Sequence, residues 1–459
     1  MSANLNARRN GIARAWDLRS GAVVVPAGVH VPVAGTDQYH DFHAHPEFTY
    51  LAGVQTPGAV LAFDPVDGWL VFAPVANQED RVWVGDGESL DAIAGRSGAR
   101  VEPLQRLGGW LEARRSEPLV LLGNHDLVAN PTAYGLQSWA ALELDVDDQR
   151  SVLLSEQVAD KRRAKDPAEI SLMRSAAGAT APGHRAAIRL ARPGMTERQL
   201  QIEIEAEFFR AGAERTAYGS IVGSGPNGAI LHSSPGQRVF ADGDLILVDA
   251  GAEFGAYASD VTRTFPVAAR FSGIQRDIYE IVLGVQERAI ASVKPGVEYK
   301  DLHMAAALGI ASGLRDLGIL RGDPGDLVER DAHALFFVHG LGHMLGLATH
   351  DAGGCLAGRQ PSDRFGLKWL RADLPLEPDY VVTIEPGIYF IDALLTDPAR
   401  RDTFRDAVNW GLVDSLRGFG GIRIEDDVLV TEAGADVLSG TIPKSIDEIE
   451  AIRREALST

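Results

Sequence analysis

Three apolar runs in the second half of this chain each end on a carboxylate, and any fold must find a place for those charges. Leu245-Ile-Leu-Val runs into Asp249, Val381-Val-Thr-Ile into Glu385, and Gly421-Ile-Arg-Ile into Glu425. Short runs of this kind, rich in β-branched residues, read as buried strands. A carboxylate held at such a strand end is unfavourable unless it is paired, hydrogen bonded or bound to a cation. The pattern favours a fold in which strand ends far apart in sequence converge.

Asp260 follows Asp249 by eleven residues, a hairpin-sized spacing that lets two neighbouring strands present both carboxylates to one point. Paired carboxylates repel unless a proton or a cation lies between them. Simpler fates remain open for each acid. Asp249 can end its strand in a turn, Asp260 can pair with Arg263, and Glu425 can pair with Arg423 on the same strand face. The segment His339-Gly-Leu-Gly-His343-Met-Leu-Gly-Leu-Ala-Thr-His350 places three histidines in twelve residues, in a chain with 12 in all. His339 and His343 have the spacing of the helical zinc-protease motif. Gly340 and Gly342 disfavour a helix, and no Glu follows His339, so that motif fails. A loop with one metal-binding and two substrate-facing histidines fits better. Together, Asp249, Asp260, His343, Glu385 and Glu425 form a hard, oxygen-rich donor set suited to Mn²⁺, Co²⁺ or Fe²⁺ and tolerant of Zn²⁺. Four carboxylates exceed the charge of one divalent ion and balance two. Two such ions roughly 3.5 Å apart can hold a bridging hydroxide, which is a hydrolase constellation.

The rest of the chain sets the frame. Its 459 residues suggest two or three domains. Residues 1–160 alternate apolar runs with turn signals: Phe48–Leu51, Ala59–Phe63, Trp69–Pro74 and Leu119–Leu122 read as strands, Ser89–Ala94 and Leu104–Ala113 as helices. This predicts a smaller N-terminal α/β domain, linked through the charged stretch Asp160–Arg163 to a domain spanning 161–459. There the helices lengthen. Asp166-Pro-Ala-Glu169 is a capping-box variant opening a helix that closes near Arg192-Pro-Gly194, and Thr196 with Gln199 opens another. Gln275–Val293 and Lys300–Leu317 read as further helices, with strands at Leu245–Val248, Val381–Ile384, Gly421–Ile424 and Val428–Val430. The expected fold class is α/β (α+β), with helices on one side of a mixed sheet. The 44 Lys and Arg against 63 Asp and Glu leave a net charge of −19, which argues against a nucleic-acid partner. The absence of an apolar stretch of about 18 residues argues against a membrane span. The single Cys355 cannot form an internal disulfide and excludes a thiolate metal cluster; with no export-type leader, a cytoplasmic location is expected.

The order and spacing of the five acid and histidine motifs resemble the pita-bread metallopeptidases, specifically the Xaa-Pro dipeptidases (prolidases), over residues 162–427. The resemblance implies a pita-bread catalytic domain at 161–459, a smaller α/β domain at 1–160 and two divalent ions, Mn²⁺ first among them. Asp249 and Asp260 would each offer both oxygens, with Asp260 and Glu425 bridging. His343 would bind one ion, and Glu385 would ligate the other and act as general base. His232 resembles a substrate-side histidine, His350 one that stabilises the tetrahedral oxyanion, and His339 a pocket-wall residue. Arg371, in Gly366-Leu-Lys-Trp-Leu-Arg371, matches the position at which prolidases hold the substrate's terminal carboxylate. That would limit the substrate to an Xaa-Pro dipeptide. Arg423 and Thr262 would support the ligands, Arg423 also counting with Tyr257 among substrate-side positions, and Tyr389 matches a family position. A homodimer is what the family suggests. The stretch Phe42–Gly53 looks closer to aminopeptidase P, so Xaa-Pro aminopeptidase activity on longer peptides is the alternative.

Two readings from other classes fit the residues less well. Gly223-Ser-Gly225-Pro-Asn-Gly228, with Asp249 21 residues on, imitates a dinucleotide fingerprint, but Ser233-Ser-Pro-Gly236 breaks the helix the fingerprint needs. A non-catalytic binding module on this fold would be expected to lack ligands, and all five are intact.

Overall fold

The structure, a computed structural model, describes residues 2–123 and 126–458. The chain divides into two compact units, Met1–Arg162 and Arg163–Thr459. The first is built on a five-stranded sheet in the spatial order Arg100–Pro103, Gly68–Ala73, Val60–Asp64, Ala22–Pro26, Leu119–Leu121. The two outer pairings are parallel and the two inner ones antiparallel. Val24, Val60, Ala62, Phe72 and Leu107 are buried in its core.

One expectation for this unit is corrected, and the charged stretch expected as the link does hold the unit boundary, between Arg162 and Arg163, in helical form. Phe48–Leu51 lies in the helix Pro46–Ala52, which has Pro at its first turn and ends on Gly53 in a left-handed conformation. A short continuous apolar run does not distinguish strand from helix, and these flanking signals decide it. Asp160–Arg163 is the last turn of the helix Asp148–Arg163. Two of its charges are buried rather than solvated: Arg162 pairs with Glu47 at 3.2 Å, and Arg163 donates to the carbonyls of Gly353 and Cys355.

In the second unit both capping boxes form as the sequence implies. Asp166 accepts from the amides of Ala168 and Glu169 at the head of the helix Pro167–Leu190, and Thr196 caps Glu197–Arg210. These two helices cross closely at Gly183, where a Cβ would lie 2.3 Å from the Phe208 ring and 2.8 Å from the Ile204 carbonyl. The helices Gly273–Ser292 and Tyr299–Asp316 bury Ile278, Val282, Ile310 and Leu314 in the same core. The strands do not make one mixed sheet. They form four short ladders: Ile221–Ser224 with Leu245–Asp249 and Thr262–Pro266; Arg215–Thr216 with Ala252–Phe254 and Tyr257–Ala258; Val381–Ile384 with Asp426–Thr431 and Gly434–Val437; and Gly387–Tyr389 with Gly421–Arg423. Gly and Pro punctuation keeps each strand to six residues or fewer.

Candidate active site

Backbone register brings the ligand candidates together. Asp249 ends the central strand of its ladder, opposite Ile221 on one side and Thr262 on the other. Ile384 is opposite Asp426, so Glu385 and Glu425, each one residue outside the ladder, lie side by side. The histidine loop is laced onto the same strand: the amides of Thr383 and Glu385 donate to the carbonyls of His343 (2.9 Å) and Leu341 (2.8 Å), and the His343 amide donates to Thr383 Oγ1 (3.1 Å). The Glu425 amide donates to the Thr262 carbonyl at 3.1 Å, joining the two ladders. Asp249, Asp260, His343, Glu385 and Glu425 thus line one cavity.

Atoms from Asp260, His343 and Glu425 lie within 4.8 Å of one another. His343 Nε2 is 3.4 Å from Asp260 and 3.7 Å from Glu385. Its Nδ1 lies 3.0 Å from the Met344 carbonyl, so a proton on Nδ1 leaves the Nε2 lone pair facing the carboxylates, the tautomer a metal ligand needs. The Tyr218 hydroxyl lies 2.6 Å from both Asp249 Oδ1 and Asp260 Oδ1. One hydroxyl proton cannot serve both, so the contact measures how near the two carboxylates come.

The simpler pairings do not form. Arg263 pairs with Asp426 at 2.7 Å rather than with Asp260. Arg423 pairs with Asp249 at 2.5 Å, and Glu425 accepts from Thr262 Oγ1 at 2.6 Å. Electrostatics shows what the set demands. Burial pushes the Glu425 carboxyl well up, with repulsion from Asp260, Glu385 and Asp249 added, and burial lifts Glu385 to about 7. Asp249 is raised too, chiefly by burial and against the pull of Arg423. Burial opposes ionisation of Asp260 as well, yet hydrogen bonding to His343 holds it below the usual carboxylate range. Against its own desolvation, His343 is lifted to about 9 by Asp260 and Glu385. Cationic charge is what this donor set lacks, and oxygen-rich donors with one imidazole fit divalent ions.

The cavity, about 630 Å³, is also lined by His232, His339, His350, Arg371 and Arg423. The His343 and His350 rings meet edge to face, centroids 4.4 Å apart. Burial, with the charges of His343 and Arg371, lowers His350 to about 4, so it is neutral at pH 7. His339 Nε2 lies 2.8 Å from the Tyr389 hydroxyl, which accepts from Arg423 at 2.6 Å. Arg423 therefore couples Asp249, Tyr389 and Thr262, to which its Nε donates at 2.9 Å. Tyr257 is a correction. It is buried outside the cavity lining, and its hydroxyl donates to Glu169 at 2.6 Å, tying this part of the chain to the Pro167–Leu190 helix.

Sequence reasoning missed Tyr218 and the groups beneath the ligands. Asp427 accepts from Ser259 Oγ (2.7 Å) and from the Asp260 amide (3.0 Å), and Arg263 Nη1 donates to the Glu425 carbonyl (2.6 Å). The acidic triplet Glu425-Asp426-Asp427 was the available signal, since three buried acids in a row require three different partners.

Comparison with known proteins decides the family. The model for metallopeptidase family M24 matches residues 171–432, more than half of the sequence. The chain belongs to metallopeptidase family M24. Its first part, residues 5–118, matches the aminopeptidase P N-terminal domain. The Xaa-Pro aminopeptidase of Escherichia coli (strain K12) is 35% identical over 436 residues, covering 91% of this chain and 90% of that protein. The Xaa-Pro dipeptidase of Homo sapiens is 31% identical over 446 residues, covering 95% and 89%. The solved structure of Pseudomonas aeruginosa aminopeptidase PepP superposes with a TM-score of 0.82 at 31% identity, over 100% of this chain and 99% of that one. The mixed α/β architecture, a pita-bread catalytic domain preceded by a smaller α/β domain, is that of this M24 group. No helix among the described residues is long and apolar enough to cross a membrane.

Proposed function

We propose that this chain hydrolyses the peptide bond before proline as an Xaa-Pro aminopeptidase, with two divalent ions held by Asp249, Asp260, His343, Glu385 and Glu425. The convergence of these five side chains in one cavity carries the reading. The aminopeptidase P N-terminal domain and the Escherichia coli and Pseudomonas relatives support the aminopeptidase over the dipeptidase. When bound, the ions would polarise the scissile carbonyl and lower the pKa of the attacking water. Manganese suits this set best, since four of its five donors are carboxylates and oxygen ligands favour it.

The chain's own groups do the rest. Glu385 takes the proton of the attacking water and returns it to the proline nitrogen, which as a tertiary amide has no hydrogen of its own. His350 donates to the oxyanion that develops on the carbonyl oxygen. His232 and His339 contact the substrate, and Arg423 keeps Asp249 in place through its paired guanidinium. Leu231, Val338 and Ile391 offer the proline ring an apolar wall. A homodimer in the cytoplasm belongs to the same proposal, and size-exclusion chromatography with light scattering tests its assembly.

One observation favours the dipeptidase as a second reading. Arg371 lines the cavity and lowers the pKa of His350, so a guanidinium lies close enough to the reacting end to receive a terminal carboxylate. The test is hydrolysis of Ala-Pro and Ala-Pro-Ala by protein stripped of metal and reloaded with Mn²⁺. The aminopeptidase cleaves the tripeptide. Cleavage confined to the dipeptide establishes the second reading, and inactivity on both removes the proposal.

A further inference from the structure

The cavity is charged in a way the hydrolytic reaction alone does not require. Its acidic lining residues, Asp249, Asp260, Glu385 and Glu425, are all in the proposed ligand set. Its four non-histidine cations are Lys368, Arg371, Arg400 and Arg423, in a chain with a net charge of −19. Arg423 is occupied by Asp249 and Tyr389. Neither Lys368 nor Arg371 has a carboxylate partner among the described residues, and Arg400 has Asp397 at 3.6 Å.

Aromatic side chains of the same wall hold two of these cations. The Arg400 guanidinium lies 4.1 Å from the Phe365 ring centroid, and the Lys368 ammonium 5.3 Å from that of Trp369, which is 57% exposed. Such contacts favour a cation beside a ring while leaving its outward face open to a ligand. One peptide carboxylate satisfies one guanidinium, so a surplus of positive charge remains. The free α-amino group of a peptide titrates near 8 and is repelled by this wall. The wall therefore faces the carboxyl half of the substrate.

Resting on the Xaa-Pro reading above, we propose that Lys368 and Arg400, beside Arg371, form an anion subsite for an acidic residue following the proline. The favoured substrates are peptides of the form Xaa-Pro-Glu and Xaa-Pro-Asp. The preference is electrostatic and partly solvent-exposed, so it amounts to about fivefold for one added charge at low salt. It shrinks as ionic strength rises past the point where the screening length falls below the charge separation.

The test uses the manganese-loaded full chain and two amidated peptides differing by a single charge, Ala-Pro-Glu-NH₂ and Ala-Pro-Gln-NH₂. The ratio of their kcat/KM values is read at low and high sodium chloride, and their affinities are titrated by calorimetry so that preference is measured independently of turnover. The proposal requires the Glu peptide to lead about fivefold at low salt. It also requires the lead to collapse at high salt, and to fall toward unity in both Lys368→Gln and Arg400→Gln, with metal content confirming that each variant is loaded. Equal kcat/KM and equal affinity for the two peptides in the unsubstituted protein overturn it, as does a ratio untouched by both substitutions. Absence of turnover with a preserved affinity difference removes the hydrolase reading and leaves the subsite standing.

Discussion

Replacing Gly251 with alanine tests whether the metal-ligand candidates depend on the close backbone crossing behind them. A Cβ on Gly251 would lie 1.7 Å from the Ser259 carbonyl oxygen and 2.6 Å from its carbon. Both are backbone atoms, so no side chain can swing away. Ordinary contact begins at 3.4 Å, and the crossing must open by about 1.7 Å. Gly251 follows Asp249 by two residues and Ser259 immediately precedes Asp260, so this opening separates the two carboxylate-bearing segments. The crossing is also stitched by hydrogen bonds from the Ala250 amide to the Val261 carbonyl (3.1 Å) and from the Ser259 amide to the Ala252 carbonyl (3.0 Å). A displacement of that size breaks both, and two buried polar pairs left unmade destabilise by about 2–6 kcal/mol.

Metal coordination tolerates about 0.2 Å of error in ligand distance, so the displacement weakens binding by at least about 100-fold. The assay is thermal unfolding of metal-free protein with and without added Mn²⁺, together with metal content by mass spectrometry. Bound metal at 100 times its Kd stabilises by about 2.7 kcal/mol, and Gly251→Ala loses this increment as well as basal stability. Gly273→Ala, whose Cβ would meet nothing within 4 Å, is the matched control and keeps both. A Gly251→Ala protein that retains full metal content and the Mn²⁺-dependent rise in melting temperature would refute the reasoning.

Asp260→Ala removes a carboxylate that groups with His343 and Glu425 within 4.8 Å, and the purified protein should retain almost no metal and no peptidase activity. Tyr218→Phe deletes the hydroxyl between Asp249 and Asp260 and weakens metal binding by about 10-fold, read by chelator competition; unchanged affinity makes that hydroxyl a bystander. Burial lowers His184 and His303 to about 4 and His333 to about 3, below the 6.5 of an exposed imidazole. The unfolded chain then binds more protons, so the stability these groups contribute is complete above pH 6.5 and is lost as pH falls toward 4. His184 Nε2 donates to the Ala250 carbonyl at 2.9 Å, a bond that His184→Gln can replace without the titration. The melting-temperature deficit of His184→Gln at pH 7 should narrow by pH 4.5, and a constant deficit contradicts the assignment.

The sequence exposed the ligand candidates because the acids among them stand where strand pattern breaks. Asp249, Glu385 and Glu425 end runs too apolar to be surface strands, and three histidines share one glycine-rich loop. What it hid was pairing between acids and bases. Arg263 lies three residues after Asp260, and local spacing joins them. In the fold Arg263 reaches Asp426 instead, because the strand direction sends Asp260 and Arg263 to different partners. Tyr218 belongs to no pattern at all; its hydroxyl acquires meaning only when two carboxylates arrive from other stretches. Tyr257 failed in the opposite way. The family resemblance implies a substrate-side position for it, but its hydroxyl is held by Glu169 of a helix cap. Phe48–Leu51 shows the same limit at the level of elements, since Pro46 and Gly53, outside the apolar run, decide its form.

The triplet Glu425-Asp426-Asp427 shows how the site tolerates so much buried negative charge. Glu425 faces the cavity, and among the described residues its one side-chain donor is the Thr262 hydroxyl. Asp426 turns to the opposite side, where Gln286 and Ser439 donate to it and the charges of Arg263 and Lys444 hold its carboxyl far below the usual range despite complete burial. Asp427 has no cationic partner among the described residues; it is spent on Ser259 and the Asp260 amide. Charge neutralisation is thus confined to the middle residue, while its neighbours serve the cavity and the backbone behind Asp260. Because Arg263 also donates to the Glu425 carbonyl, the neutralised pair fixes the main chain from which Glu425 projects. Placing the cation under the ligand's backbone, rather than against its carboxylate, keeps the Glu425 oxygens available for a metal.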